Sequence, residues 1–373
     1  MRQKGTLGWF KHNITNRGWT AWVLCLALFA FYFVLYNKNL PFLGSYIHAA
    51  IGDPMTDMAV AMGLIHKWNL YGLIYTIAIT AGGVYVIKKY SHNAYQIVRT
   101  IVVMVVQASL AFSIPYILEL FNHPGLYFSY LWPLEIKILY PDKLSQFPVY
   151  FAIWAVVGST LVAPILGIFF GKRWYCSWVC GCGGLANTAG EPFRHLTPTE
   201  SGWWKFEKYA IHATLVLALL VTGLVGASYL LGEQYTTLQW ASSKLRSFYG
   251  IVFVTAISGI IGVALYPIGG TRVWCRNFCP MAAVLGLVQK FGRYRITVKD
   301  DMCISCGMCS KYCEMGIDVR AYAQANEDFT RAACVGCGLC EEVCPRGVLH
   351  LENKWEQDPQ ELTMSSLMSE SYK

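Results

Sequence analysis

The sequence predicts an α-helical polytopic membrane protein of about six spans, ending in a small, cysteine-rich α+β unit. Three observations carry this reading. Of 373 residues, 55% are hydrophobic and only 14% charged, with mean hydropathy +0.39; a soluble domain carries nearly twice that charge. Six apolar stretches can each cross roughly 30 Å of hydrocarbon. Charge also divides along the chain. Residues 300–373 hold 13 of the 22 acids and 6 of the 30 bases, net −7, while the rest hold 9 acids and 24 bases, net +15.

Taken in order, the apolar stretches are 19–36, 68–87, 97–121, 148–170, 208–231 and 249–268. The first lacks a small-residue cleavage site and reads as a retained anchor. Lysine and arginine then set the orientation. With the N-terminus inside, Lys88, Lys89, Lys172, Arg173, Lys205, Arg272, Arg276, Lys290, Arg293 and Arg295 fall inside. Only Lys38, Lys67, Lys137, Lys143, Lys244 and Arg246 fall outside. Both termini are therefore expected in the cytoplasm of a bacterial inner membrane. The outer loop 122–147 carries Trp132-Pro133-Leu134, which reads as an interfacial re-entrant turn.

The strongest motif is Cys303-Ile304-Ser305-Cys306-Gly307-Met308-Cys309 with Cys313, repeated as Cys334-Val335-Gly336-Cys337-Gly338-Leu339-Cys340 with Cys344-Pro345. This CxxCxxCxxxC run, written twice, is the ligand pattern of a bacterial ferredoxin with two [4Fe–4S] clusters. Three cysteines two residues apart curl round one face of a cubane, and the small Gly307 and Gly338 allow the close turn. The fourth cysteine crosses over. Cluster one is assigned Cys303, Cys306, Cys309 and Cys344; cluster two, Cys334, Cys337, Cys340 and Cys313. Zinc needs four ligands per site without this swapped rhythm. Glu314 stands where the second run has Pro345. The chain thus divides into a transmembrane domain (1–296), a ferredoxin domain (297–351) and a polar tail (352–373).

A second repeat lies at two membrane ends. Gly171, Arg173, Cys176 and Cys180 share offsets with Gly270, Arg272, Cys275 and Cys279. A spacing of four predicts both sulfurs of each pair on one helix face, at the cytoplasmic mouth of a span. Three readings stay open: a third redox or metal centre, a docking or redox-thiol site, and reduced cysteines packed at the interface. Cys182 adds a fifth ligand or exchange partner, and Cys25 reads as a small hydrophobe.

The histidines fall outside (His48, His66, His123) or inside (His92, His195, His212), and no CxxCH haem attachment occurs. Asp53, Asp57, Glu119 and Glu135, near the outer face, are either solvated loop residues or carriers of protons from a quinol. No dinucleotide fingerprint, Walker motif or flavin attachment sequence is present, and nothing marks a nucleic-acid interface.

The paired cysteines and the double ferredoxin run together resemble the NapH/NosR-type polytopic membrane ferredoxins, a group similar to the YccM-like and CcoG-like proteins. Its CxxxCP signature is met in full at Cys275–Pro280, whereas the first copy reads Cys180-Gly181-Cys182. The resemblance implies an electron-transfer component of a respiratory oxidoreductase, in the manner of a quinol dehydrogenase. It would exchange electrons between the quinone pool and redox partner subunits of a membrane complex. The acidic ferredoxin face should favour a basic partner. Two rivals are a copper-reducing factor for maturation of a respiratory enzyme, using the cysteine pairs, and a structural anchor.

Overall fold

A backbone crossing hydrocarbon must satisfy its own hydrogen bonds, so long uncharged runs become helices. The computed structural model describes residues 13–36, 52–231, 236–299 and 302–353; Lys38, His48 and the polar tail beyond 353 lie outside them. Helix α1 is Trp19–Leu35, and the short α2 is Pro54–Ala61. Five helices are long and apolar enough to cross a membrane: α3 (Lys67–Lys89), α4 (Ala94–Leu120), α5 (Val149–Phe170), α6 (Ser201–Leu230) and α7 (Thr236–Ala264). With 17 residues, α1 is a shorter apolar helix of about 25 Å. The last span was expected from 249, but α7 begins at Thr236. Its first turns are polar, so hydropathy alone could not see them.

Three helices carry π-helical segments, at Gln107–Ser113, Gly158–Val162 and Gly250–Ile261. Such bulges turn side chains out of the regular 3.6-residue pattern and gather at functional sites.

The cysteine pairs correct two expectations. They do not lie on one continuous helix face: Cys176 closes the turn Arg173–Cys176, while Cys180 is the extended N-cap of Gly181–Asn187. Nor does this segment stay at the mouth of the span. A Cβ on Gly181 would stand 2.7 Å from the Tyr75 hydroxyl, and one on Gly82 would meet the backbone at Thr188 and Ala189, so residues 181–189 run back beside the middle of α3. The outer loop comes in to meet it. Trp132 N donates to Ser159 Oγ at 2.9 Å, halfway along α5, and the Tyr175 hydroxyl donates to the Ser129 carbonyl at 2.6 Å. Irregular backbone at such depth is tolerated only when buried in protein with its polar groups paired. These bonds pair two of its backbone groups.

The second repeat copies the first. Gly171 and Gly270 end their helices at φ +68° and +84° with extended ψ, a conformation open essentially to glycine. Cys279 then caps α8 (Pro280–Val288) as Cys180 caps its helix. Beyond α8, β1 (Tyr294–Val298) pairs antiparallel with β2 (Leu349–Asn353), with Ile296 opposite Leu351. The cysteine runs lie between these strands.

Replacing Gly171 or Gly270 by alanine should cost about 1–3 kcal/mol, because the added Cβ would also meet Tyr294 at 2.6 Å or Thr197 Oγ1 at 2.5 Å. Gly226→Ala, with open space around it, should leave thermal unfolding in detergent unchanged. Equal melting for all three variants would refute the strain argument.

Candidate functional site

All 14 cysteines are free thiols, without disulfides. The ferredoxin cysteines sort into two voids. Cys313, Cys334, Cys337 and Cys340 line one, and Cys303, Cys306, Cys309 and Cys344 line the other. Each set of four is drawn from both cysteine runs.

Local backbone geometry explains how each loop curls. Ser305, Gly307 and Gly316 adopt φ of +56°, +74° and +64°; Gly336, Gly338 and Gly347 repeat this at +60°, +75° and +59°. The two halves therefore fold as copies, each turning backbone N–H groups inward. Gly336 N approaches Cys334 Sγ at 3.4 Å, and Val348 N approaches Cys344 Sγ at 3.4 Å. The Tyr294 hydroxyl lies 3.2 Å from Cys334 Sγ. Among the described residues no three His, Cys, Asp or Glu side chains close on a single-ion site. Each void is lined by four cysteines, the ligand count of one [4Fe–4S] cluster.

The void of Cys313 and Cys334–Cys340 faces the membrane domain. On α4, Arg99 and Gln96 donate to the Cys337 carbonyl at 2.6 and 2.9 Å, and the Tyr95 hydroxyl donates to the Gly336 carbonyl at 2.8 Å. Ser177 Oγ donates to the Val335 carbonyl at 2.7 Å, and Gln289 Nε2 to those of Arg331 and Cys334. The other void is turned away, with Cys306, Met302, Ile304 and Met308 exposed.

Cys176, Cys180, Cys275 and Cys279 pack into one buried cluster, with Cys182 against it. One side chain joins this cluster to the ferredoxin unit. Arg272, fully buried, donates from Nη1 to the Cys176 carbonyl at 3.2 Å and to Cys275 Sγ at 3.8 Å, while its Nη2 donates to Glu314 Oε1 at 2.9 Å. Arg194 Nη1 stands 3.0 Å from the other Glu314 oxygen, an ion pair without hydrogen-bond alignment. Burial alone would raise the Glu314 carboxyl, but Arg194 and Arg272 overcome it and hold the group down at about 2. Arg173, the repeat partner of Arg272, stacks instead over Tyr294 and Tyr95.

A cavity of ≈ 290 Å³ opens among α3, α4 and α7, walled by Trp68, Tyr71, Tyr75, Phe112, Tyr116 and Tyr130 and reaching Cys182. The π-helical start at Gln107 aims its side chain at both neighbours: Oε1 accepts from the Tyr75 hydroxyl at 3.2 Å, and Nε2 donates to the Val179 carbonyl beside Cys180 at 2.6 Å. Near the outer end, Asn69 on the cavity wall donates to Glu119 at 2.9 Å, and half-exposed His66 pairs with Glu119 at 3.3 Å. The other three carboxylates go elsewhere: Asp53 pairs with Lys67, Asp57 stands in the first turn of α2, and Glu135 caps the 3₁₀ turn Ile136–Leu139.

Sequence reasoning passed over Arg99, Gln96, Gln107 and Arg194. A signal existed for two of them, since Arg99 and Gln107 are polar residues inside a predicted span.

Comparison with known proteins agrees with this layout. A family profile described as "4Fe-4S dicluster domain" matches residues 296–351. Another, described as "4Fe-4S binding domain", matches twice, at 152–199 and 250–299, once over each membrane cysteine pair. The methylamine utilization ferredoxin-type protein MauN of Methylobacillus flagellatus is 27% identical over 166 residues, 43% of this chain and 54% of its own. MauN of Paracoccus denitrificans is 30% identical over 173 residues, 44% of this chain and 57% of its own. The putative electron transport protein YccM of Escherichia coli is 24% identical over 191 residues, 49% and 52% respectively. The chain spans about half the length of these curated relatives. No solved structure matches it.

Glu314→Gln should cost about 3–5 kcal/mol, because two buried guanidinium groups lose their counter-charge. Thermal unfolding in detergent should fall sharply for E314Q and stay unchanged for Cys25→Ser. A wild-type transition for E314Q would show that the ion triad does not hold the ferredoxin unit.

Proposed function

The chain belongs to the polytopic membrane ferredoxins of the NapH/NosR and YccM-like type, and we propose that it takes electrons from a quinol dissolved in the membrane and delivers them to a redox partner on the ferredoxin side. The observation that carries this reading is the position of Cys182. It lines the aromatic cavity and packs against the buried core that contains Cys176, Cys180, Cys275 and Cys279, and there Arg272 bonds to Glu314 beside Cys313.

Each residue set has a task. The cavity is apolar and aromatic with a few polar groups, the composition that holds a flat ring and orients it. Tyr75, whose proton is held by Gln107, presents its oxygen as an acceptor for a quinol hydroxyl. Asn69, Glu119 and His66 form a polar file that would take protons to the outer water as the quinol is oxidised. Cys303, Cys306, Cys309 and Cys344 would hold one [4Fe–4S] cluster, and Cys313, Cys334, Cys337 and Cys340 the other. Cys176, Cys180, Cys275 and Cys279 would hold a third centre: buried together they either stay protonated or, as thiolates, share a metal group, and the 4Fe-4S profile that matches over each pair favours the second. Clusters so bound supply one-electron carriage. The exposed surface at Cys306, Met302, Ile304 and Met308 would be the contact for the partner. By the bias of basic residues, that face is cytoplasmic, as are both termini.

Three measurements test this. Anaerobically purified protein should hold about eight iron atoms in the ferredoxin unit and about four more at the membrane thiols. Cys337→Ser should remove about four, and the double variant Cys176→Ser/Cys275→Ser a different four. Eight iron atoms in both the wild type and this double variant would eliminate the third centre. A short-chain quinol should bleach the visible iron–sulfur absorption, and Ala111→Trp, which fills the cavity, should abolish that bleaching while dithionite still reduces the protein. Unchanged quinol reduction in this variant would refute the cavity assignment. A reporter fused at Lys373 should be active only if cytoplasmic-type; periplasmic activity there would reverse the orientation.

A further inference from the structure

A second cavity, of ≈ 390 Å³, lies on the ferredoxin side of the membrane domain, between the start of α6, α8 and the segment Thr330–Ala333 that leads into Cys334. Five cations and one carboxylate face it: Lys172, Lys208, Arg276, Lys290 and Arg331 against Glu207. Arg276 uses up that carboxylate at 2.7 Å. Among the described residues, none of the other four cations pairs with an acid. Lys172 is fully buried, and its Nζ reaches only the carbonyls of Ala332 and Ala333, at 3.2 and 3.4 Å. The Arg331 guanidinium lies over the Trp204 ring, 5.3 Å from its centroid. Lys172 is buried without an acid and three further unpaired cations line the same cavity, so an anion there relieves their mutual repulsion.

The surroundings say which anion. The cavity sits where α6 enters the apolar layer, beside Trp203, Phe206 and Tyr209, and Phe291 at the end of α8 is 79% exposed. Aromatic rings of this kind lie at headgroup depth. Its floor on α8 is Ala282, Ala283 and Gly286, with no polar side chain. A free inorganic anion would use the cations and leave this apolar rim idle. A phospholipid would use both. Basic pockets between helices on this kind of membrane face are suited to acidic headgroups.

We propose that this cavity binds the phosphodiester headgroup of one anionic phospholipid, with its acyl chains lying along the lipid-facing side of α6. The assignment is independent of the quinol reading, since it uses a different cavity and no redox group. Its position also gives the lipid a structural consequence: Lys172 and Arg331 hold the segment that carries Cys334, so the headgroup would steady the loop that docks the ferredoxin unit.

The test is native mass spectrometry of the whole protein in detergent, titrated separately with phosphatidylglycerol, with phosphatidylcholine of the same chains, and with inorganic phosphate. About one phosphatidylglycerol should be retained where phosphatidylcholine is not. Lys208→Ala/Lys290→Ala alters two exposed side chains outside the redox machinery. It should weaken that retention by at least about tenfold, taking about 1 kcal/mol per surface cation, with the iron–sulfur absorption intact. Equal retention of both lipids, undiminished retention in the double variant, or displacement of lipid by equimolar inorganic phosphate would each overturn the proposal. Loss of quinol reduction with lipid retention intact would count against the quinol reading alone.

Discussion

The structure turns on one buried carboxylate. Glu314 has no exposed surface, and its two oxygens meet Arg272 and Arg194, both buried. A charge triad of this kind adds little net stability, because desolvation consumes most of the Coulombic gain. What it supplies is position. With either partner misplaced, a bare charge would be left in a low-dielectric interior, so the ferredoxin unit has one register on the membrane domain. The hydrogen bonds from Tyr95, Gln96, Arg99, Ser177 and Gln289 to the carbonyls of 331–337 depend on that register.

The same triad explains why the two halves of the ferredoxin differ at one point. Their left-handed backbone positions match in pairs, so the curl round each void is the same. After the fourth cysteine, one half has Pro345 and the other Glu314. The Pro345 half, with Cys303–Cys309, looks outward; the Glu314 half looks into the protein. A symmetric fold is thereby given a direction, one void against the membrane thiols and the other towards solvent.

Much of this was legible in the sequence where the information is local. The CxxCxxCxxxC spacing constrains a few consecutive residues, so the two runs of four cysteines could be read directly. Hydropathy located the helices because span length is set by the bilayer. It could not locate the segment 181–189, which runs back beside the middle of α3, because its composition is that of an ordinary loop; the inward turn of the loop 122–147 was marked only by Trp132-Pro133-Leu134. The α7 start at Thr236 was missed for a similar reason, its first turns being amphipathic rather than apolar. The contacts of Arg99, Arg194 and Glu314 join positions far apart in the chain. A single sequence shows the odd residue, a glutamate in place of proline or an arginine inside a span, but not its partner.

Hydrogen–deuterium exchange of the intact protein in nanodiscs tests most directly whether the ferredoxin unit is built into the membrane domain. Amides of Met315–Ile317 and Val335–Gly338 should exchange as slowly as those in the interior of α5 and α6, while the outward loop Ile304–Gly307 exchanges fast. Equal, rapid exchange in both cysteine loops would mean that the unit is tethered rather than docked, and would contradict the account.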